Sequence, residues 1–263
     1  MIRRSKTLRE HLRKSLYPYY ASTAPLRPLP NAVIIGGMKC GTTSLNAWLR
    51  EHPSVAFSSV KETHYFDQHY QRGLRWYRTH FPLLERIQGA YCTLEATPSY
   101  LYRANSVAAR MHAQIPHARL VVMLRDPVRR AVSHYGHSCR NGKEHRAPEL
   151  ALMSDFSSNG RTQNPYKSRG LYAKQIQEFL RFFERSQLLI FKSEAFFANP
   201  AQTYEQVQQF LGLPAKPLPA AAQPRNVSRQ SLAISQEVTD HLAHFYRAPN
   251  QELCKLLPEF PGW

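Results

Sequence analysis

Short runs of apolar, often β-branched residues recur along the chain, and most are followed by segments in which apolar positions return every three or four residues. AVIIGG (32–37) is such a run leading into glycines, which predicts a buried strand ending in a turn. Residues 42–51 then place Leu45, Trp48 and Leu49 on one face of a helix. SVAF (54–57) and YCTLEA (91–96) read as further strands. Val107, Met111 and Ile115 recur every four residues in a helix that Pro116 stops. RLVVMLR (119–125) is the clearest core strand, and Pro127 begins the next helix, where its missing N–H costs little. Over 169–185, Tyr172, Ile176, Phe179, Leu180 and Phe183 make one apolar helical stripe, and QLLIFKS (187–193) is another strand. Asn199 and Pro200 open a helix as cap and first-turn residue, and Gly212 closes it before Pro214.

Strands alternating with helices predict an α/β fold, with a central, mainly parallel sheet covered by helices in a single domain over 31–263. Residues 1–30, ending in Pro25, Pro28 and Pro30, read as a basic arm or irregular helix outside that sheet. The segment 214–224 is loop-like. The stretch 141–168 lacks any clear period and reads as a loop over the site or an insertion.

Composition narrows the classes. Across 263 residues the chain carries 35 Lys and Arg against 18 Asp and Glu, a formal charge of +17, yet 43% of it is hydrophobic, which excludes wholesale disorder. Such a charge favours an anionic partner: nucleic acid, acidic membrane, a nucleotide or an acidic polysaccharide. No apolar run approaches the ~20 residues that span a bilayer. The basic first twenty residues lack the apolar core of a secretory signal, so a soluble, cytoplasmic protein is expected. The sequon Asn226-Val227-Ser228 would matter only in a secretory compartment. Cys40, Cys92, Cys139 and Cys254 show neither metal-ligand nor CxxC spacing, so no metal is expected.

The segment GGMKCGTTSL (36–45) lies between a buried strand and an amphipathic helix, where backbone amides at a helix start bind phosphate. Gly36, Gly37 and Gly41 admit close approach of an anion, Lys39 adds a cation, and Thr42, Thr43 and Ser44 add hydroxyl donors. The plain alternative is a strand–helix turn with cap residues. A nucleoside triphosphatase loop places its Lys directly after the last Gly and a Ser or Thr after that Lys. Here Lys39 precedes Gly41 and the Lys-Ser/Thr pair for Mg²⁺ is absent. With LVVMLRDPVRRAVSHY (120–135), in which Arg125 ends a strand and Ser133 follows eight residues on, and with KETHYFD (61–67), the chain resembles the sulfotransferase superfamily. Its likeness is nearest to the heparan sulfate and other glycosaminoglycan-type enzymes, and RGLRWYRTHFP (72–82), LEATPSYLY (94–102) and RGLYAKQIQEFL (169–180) continue it.

That resemblance implies a sulfuryl transfer from 3′-phosphoadenosine-5′-phosphosulfate to a hydroxyl or amine of a carbohydrate-like acceptor, with no metal and no nucleic-acid partner. It implies that Lys39, Gly41, Thr42, Thr43 and Ser44 hold the 5′-phosphosulfate, with Lys39 neutralising the leaving oxygen. It also implies that Arg125 and Ser133 hold the 3′-phosphate. Among Lys61, Glu62, His64 and Asp67 it makes Glu62 the general base, with His64 the alternative; Asp67 orients His64 or caps a helix. Glu62 read alone is a surface carboxylate paired with Lys61 or Arg72. Arg103, Arg169 and Tyr172 are candidate acceptor contacts. Two departures stand out: Ala96 replaces the family's Lys after the Glu of LEATP, and its Lys-Gly-Arg loop has no clear match, leaving Arg225 or Arg229 as substitutes for a 3′-phosphate contact. The competing classes are an ATP-dependent kinase on the same type of loop and a basic nucleic-acid-binding protein. The second lacks interleaved aromatic motifs and zinc-finger spacing.

Overall fold

A computed structural model describes residues 15–87, 89, 92–154, 165–220, 222, 233–260 and 262–263. Its strands are β1 (Ala32–Gly36), β2 (Val55–Phe57), β3 (Cys92–Ala96), β4 (Arg119–Leu124) and β5 (Leu188–Lys192), in one sheet ordered β2-β3-β1-β4-β5. Every pairing is parallel, with Ala32 opposite both Leu94 and Arg119, and a register shift between Ile34 and Gly36 along β4. The helices are α1 (Tyr17–Ser22), α2 (Thr42–Leu49), α3 (Gly73–Arg78), α4 (Ser99–Tyr102), α5 (Ala104–Gln114), α6 (Pro127–Arg140), α7 (Pro148–Met153), α8 (Tyr172–Leu180), α9 (Ser193–Ala198), α10 (Pro200–Leu211) and α11 (Gln236–Leu256). None of the described helices is long and apolar enough to cross a membrane.

A parallel sheet must be covered on both faces, and the alternation of side chains shows how. Val33, Ile35, Leu120, Val122 and Leu124 face Val107 and Met111 of α5 and Ile176 and Phe179 of α8. Ala32, Ile34, Val121 and Met123 face the opposite way, against Leu45 and Trp48 of α2 and Tyr204 and Val207 of α10. Each of these large side chains is buried, worth about 1.5–3 kcal/mol apiece. Because β1 is central and its neighbours belong to successive halves of the chain, the loops leaving β1, β2, β3 and β4 emerge along one sheet edge at the strands' carboxyl ends. That edge is where open α/β sheets bind ligands.

The sequence reading meets several corrections. The stripe over 169–185 is not one helix: Arg169 lies in a 3-10 turn (Ser168–Gly170), and α8 runs only to Leu180, although Phe183 stays buried beside Phe179. In that turn Gly170 packs against α11, where a Cβ would lie 2.7 Å from the Tyr246 ring. Asn199 stands at the start of α10, but its amide donates to Gln202 Oε1 (2.9 Å) and caps no backbone amide. Within 141–168 lies α7, packed on α6 and α11, while residues 155–164 are outside the described residues. The largest omission is α11, whose start is capped by Ser235 accepting from the Val238 amide (3.4 Å). Pro249 lies inside α11, where a proline lacks the helical N–H, yet Val238, Leu242, Tyr246 and Leu253 bury one face of α11 and carry the helix through it. Residues 15–27 dock on α3: Arg27 is buried, donates to the Phe81 carbonyl (2.5 Å) and stacks over Tyr20, while Arg75 donates to Ala21 O (2.9 Å).

Candidate active site

The loop between β1 and α2 combines close packing with a half-buried cation, Lys39. A Cβ on Gly36 would lie 2.5 Å from Leu101 Cβ, so only glycine lets β1 end against α4. Gly41 has φ 96° and turns the chain into α2, whose first turn closes through Ser44 N to Gly41 O (2.9 Å). The Gly37 amide donates to Met123 O (2.6 Å) and the Ser193 hydroxyl donates to Cys40 O, tying the loop to β4 and α9. As at any helix start, the first amides of α2, at Thr42 and Thr43, have no acceptor within the helix and so attract an anion.

Lys39 has φ 70° and forms no ion pair among the described residues. Burial, then the positive charges of Arg140 and Arg125, hold its ammonium below the usual lysine range. Arg125 follows the carboxyl end of β4, donates to Lys39 O (3.4 Å), and is itself outside any described ion pair. Ser133 lies two turns along α6, half-buried. Next to these groups, Arg130 is fully buried, donates through Nη2 to Tyr166 O and leaves Nε and Nη1 without partners. Burial, then the charges of Arg130 and Arg169, pushes His134 down to about 2, so its imidazole is neutral. Lys39, Arg125 and Arg130 thus stand together with no ion pair to an acid among the described residues, a concentration of positive charge that favours a polyanion.

The segment after β2 brings the acid–base groups to the same edge. Lys61 Nζ donates to Thr43 Oγ1 (3.0 Å), joining this segment to the phosphate loop. Glu62 Oε2 lies 3.4 Å from His64 Nε2, while His64 Nδ1 lies 3.2 Å from both Asp67 carboxylate oxygens. Ser99 Oγ, in the first turn of α4, donates to Asp67 Oδ2 (2.7 Å). Burial pushes the Glu62 carboxyl up, opposed by the charges of His64 and Lys61. The hydrogen bond to Asp67 raises His64. Burial acts upward on Asp67, but its bonds with His64 and Ser99 outweigh it and leave that carboxyl below the usual range. The arrangement can take a proton on Glu62 beside an imidazole held in orientation by Asp67.

The structure thus corrects the isolated readings of this segment: Glu62 pairs with His64, rather than with Lys61 or Arg72, and Asp67 orients His64 and caps no helix. Tyr172 is buried, its hydroxyl donating to Arg125 O (2.9 Å), so it braces the chain after β4 and is not open to an acceptor. Arg169 stacks on Tyr102 (4.5 Å) with Nε and Nη1 unpartnered, and exposed Arg103 flanks the same ring (5.5 Å). Arg225 and Arg229 lie outside the described residues. Sequence reasoning missed Arg130, His134 and Glu95. A glutamate inside the apolar run of β3 was the available signal for the last, since an acid in a buried strand needs partners.

Comparison with known proteins agrees with this geometry. The family model described as "Sulfotransferase domain" matches residues 29–247. Human heparan sulfate glucosamine 3-O-sulfotransferase 6 is 31% identical over 267 residues, 92% of this chain and 76% of the relative. Mouse heparan sulfate glucosamine 3-O-sulfotransferase 3B1 is 30% identical over 272 residues, 93% of this chain and 67% of the relative. The crystal structure of a sulfotransferase from Alicyclobacillus acidocaldarius superposes with a TM-score of 0.74 at 26% identity, covering 88% of this chain and 96% of that one. A phosphate-type loop after β1, an arginine after β4 and a carboxylate–imidazole pair after β2 therefore coincide with a family match across most of the chain, which belongs to the sulfotransferase domain family as an enzyme related to its carbohydrate-type members.

Proposed function

We propose that the enzyme transfers the sulfuryl group of 3′-phosphoadenosine-5′-phosphosulfate to a hydroxyl of a carbohydrate. The observation that carries the reading is the junction of two loops, where Lys61 Nζ bonds Thr43 Oγ1 and so sets Glu62 beside the phosphate-type loop of Lys39. In this reading Lys39, the amides from Gly41 onward, Thr42, Thr43 and Ser44 hold the 5′-phosphosulfate, and Arg125 with Ser133 holds the 3′-phosphate. Arg225 is assigned to the same phosphate. Glu62 takes the proton of the acceptor hydroxyl as its oxygen bonds to sulfur. The bond from sulfur to the bridging oxygen breaks, its electron pair staying on the bisphosphate, where Lys39 offsets the new charge. His64 is the alternative base; its Nδ1 is committed to Asp67, which favours the carboxylate beside it for the proton transfer. The relatives' printed names, heparan sulfate glucosamine 3-O-sulfotransferases, support a carbohydrate acceptor. The kinase alternative is disfavoured by Lys39 preceding Gly41.

The test is calorimetry with adenosine 3′,5′-bisphosphate, adenosine 5′-monophosphate and ATP with Mg²⁺, followed by labelled-sulfate transfer to polysaccharides, amines, phenols and simple alcohols at two salt concentrations. The bisphosphate is expected to bind at least ~10-fold more tightly than the monophosphate, because Arg125 and Ser133 address its 3′-phosphate. An anionic carbohydrate acceptor is expected to lose apparent affinity as salt rises, since screening acts over roughly 8–10 Å. Equal affinity for the two adenylates, or sulfation of phenols without carbohydrate activity, would contradict the assignment.

A further inference from the structure

Near the carboxyl end of β3, Glu95 is fully buried and its carboxylate gathers four hydroxyl groups. Oε1 accepts from Thr63 (2.5 Å), Thr97 (2.5 Å) and Tyr100 (3.0 Å), and Oε2 accepts from Tyr77. Burying an acid this completely is costly unless its lone pairs are filled, and here they are. Two of the donors reach the segment that carries Glu62 and His64. Thr63 lies between those two residues, and having given its proton to Glu95 its oxygen accepts from the Tyr65 amide (3.4 Å). Tyr100 likewise gives its proton to Glu95 and accepts from the Phe66 amide (3.3 Å).

Between these anchors stands His64 with φ 52°, a left-handed conformation that a non-glycine residue keeps only when its surroundings over-determine it. The Gln68 and His69 amides donate to its carbonyl (3.0 and 2.9 Å), while the side-chain bonds that hold the Tyr65 and Phe66 amides after it run through Thr63 and Tyr100 to Glu95. We propose that Glu95 is a positioning residue for sulfuryl transfer: through the hydroxyls of Thr63 and Tyr100 it locks the 61–67 segment so that Glu62 and His64 face the phosphate loop. Tyr77 meets the other carboxylate oxygen and stacks on Tyr65 (4.2 Å), so its hydroxyl stabilises the buried acid without holding the segment's backbone. The inference rests on the role proposed for Glu62, but the order of the segment is measurable without donor or acceptor.

The experiment compares Glu95→Gln, Thr63→Val, Thr63→Ser and Tyr77→Phe in the full chain. It reads amide hydrogen exchange at Tyr65 and Phe66, bisphosphate affinity, and kcat for sulfate transfer. Should Glu95→Gln fail to fold, Thr63→Val carries the test. Thr63→Val is expected to speed exchange at the two amides about 5-fold or more. It is also expected to lower kcat ~10-fold or more with bisphosphate affinity nearly unchanged, and Thr63→Ser should restore both. Tyr77→Phe should lower Tm while leaving the two amides and kcat near the parent. Thr63→Val with parental exchange would overturn the proposal, as would Tyr77→Phe loosening the segment as much as Thr63→Val. A parent enzyme that transfers no sulfate, with Thr63→Val still loosening the two amides, would instead contradict the functional reading while leaving the anchoring of the segment by Glu95 in place.

Discussion

Glu62 carries opposing influences that make its titration informative. Burial destabilises its carboxylate, while His64 at 3.4 Å and Lys61 stabilise it. In the role proposed for Glu62 the active form is the carboxylate, so turnover should rise with pH through a pKa above the ordinary carboxylate range. His64→Asn removes a charge that favours the carboxylate, so the acid limb of the kcat/KM profile is expected to move to higher pH. A limb that stays in place or moves to lower pH would show that His64 does not act on Glu62. At this scale the sequence was informative where a residue type announces its chemistry: Lys39, Glu62, His64 and Arg125 stand at the edge that the motifs implied. It was uninformative for Tyr172, whose aromatic ring and hydroxyl fit an acceptor contact as well as a core position. Only packing distinguishes the two, and it buries the residue with its hydroxyl on Arg125 O.

Elements were legible to the extent that local pattern decided them. β1 and β4 are unbroken apolar runs bounded by glycine, proline or charge, and the parallel sheet forms within a residue or two of the limits those runs set. α8 and α11 depart from the local pattern: α8 begins only after the 3-10 turn in which Gly170 packs on Tyr246, and the buried stripe of α11 outweighs Pro249. The β1–α2 turn provides the test at this scale. Gly36→Ala would place a methyl 2.5 Å from Leu101 Cβ, part of the short helix α4, where little can yield. It is expected to cost about 1–3 kcal/mol and to weaken bisphosphate binding by displacing the turn. Thermal unfolding with and without the bisphosphate measures both effects, and an unchanged Tm would show that β1 and α4 are less closely docked than described.

Across the whole molecule, the charge of +17 acquires a location. Lys39 and Arg125 gather at one sheet edge with buried Arg130 and half-buried Arg169 behind them, and Glu62 and Asp67 there are engaged with His64. The sequence could count the charge but not place it, because the loops that converge are separated by tens of residues and meet only through the strand order β2-β3-β1-β4-β5. In the proposed function the site has two parts, an anion-holding side on β1 and β4 and a proton-accepting side after β2, and the bond of Lys61 to Thr43 bridges the two segments. The account requires that these be separable, and Glu62→Gln separates them most directly. Single-turnover transfer of labelled sulfate should fall by ~10²-fold or more, while calorimetric affinity for adenosine 3′,5′-bisphosphate stays near that of the parent. Near-normal transfer by Glu62→Gln would contradict the assignment of the base, and so the central claim.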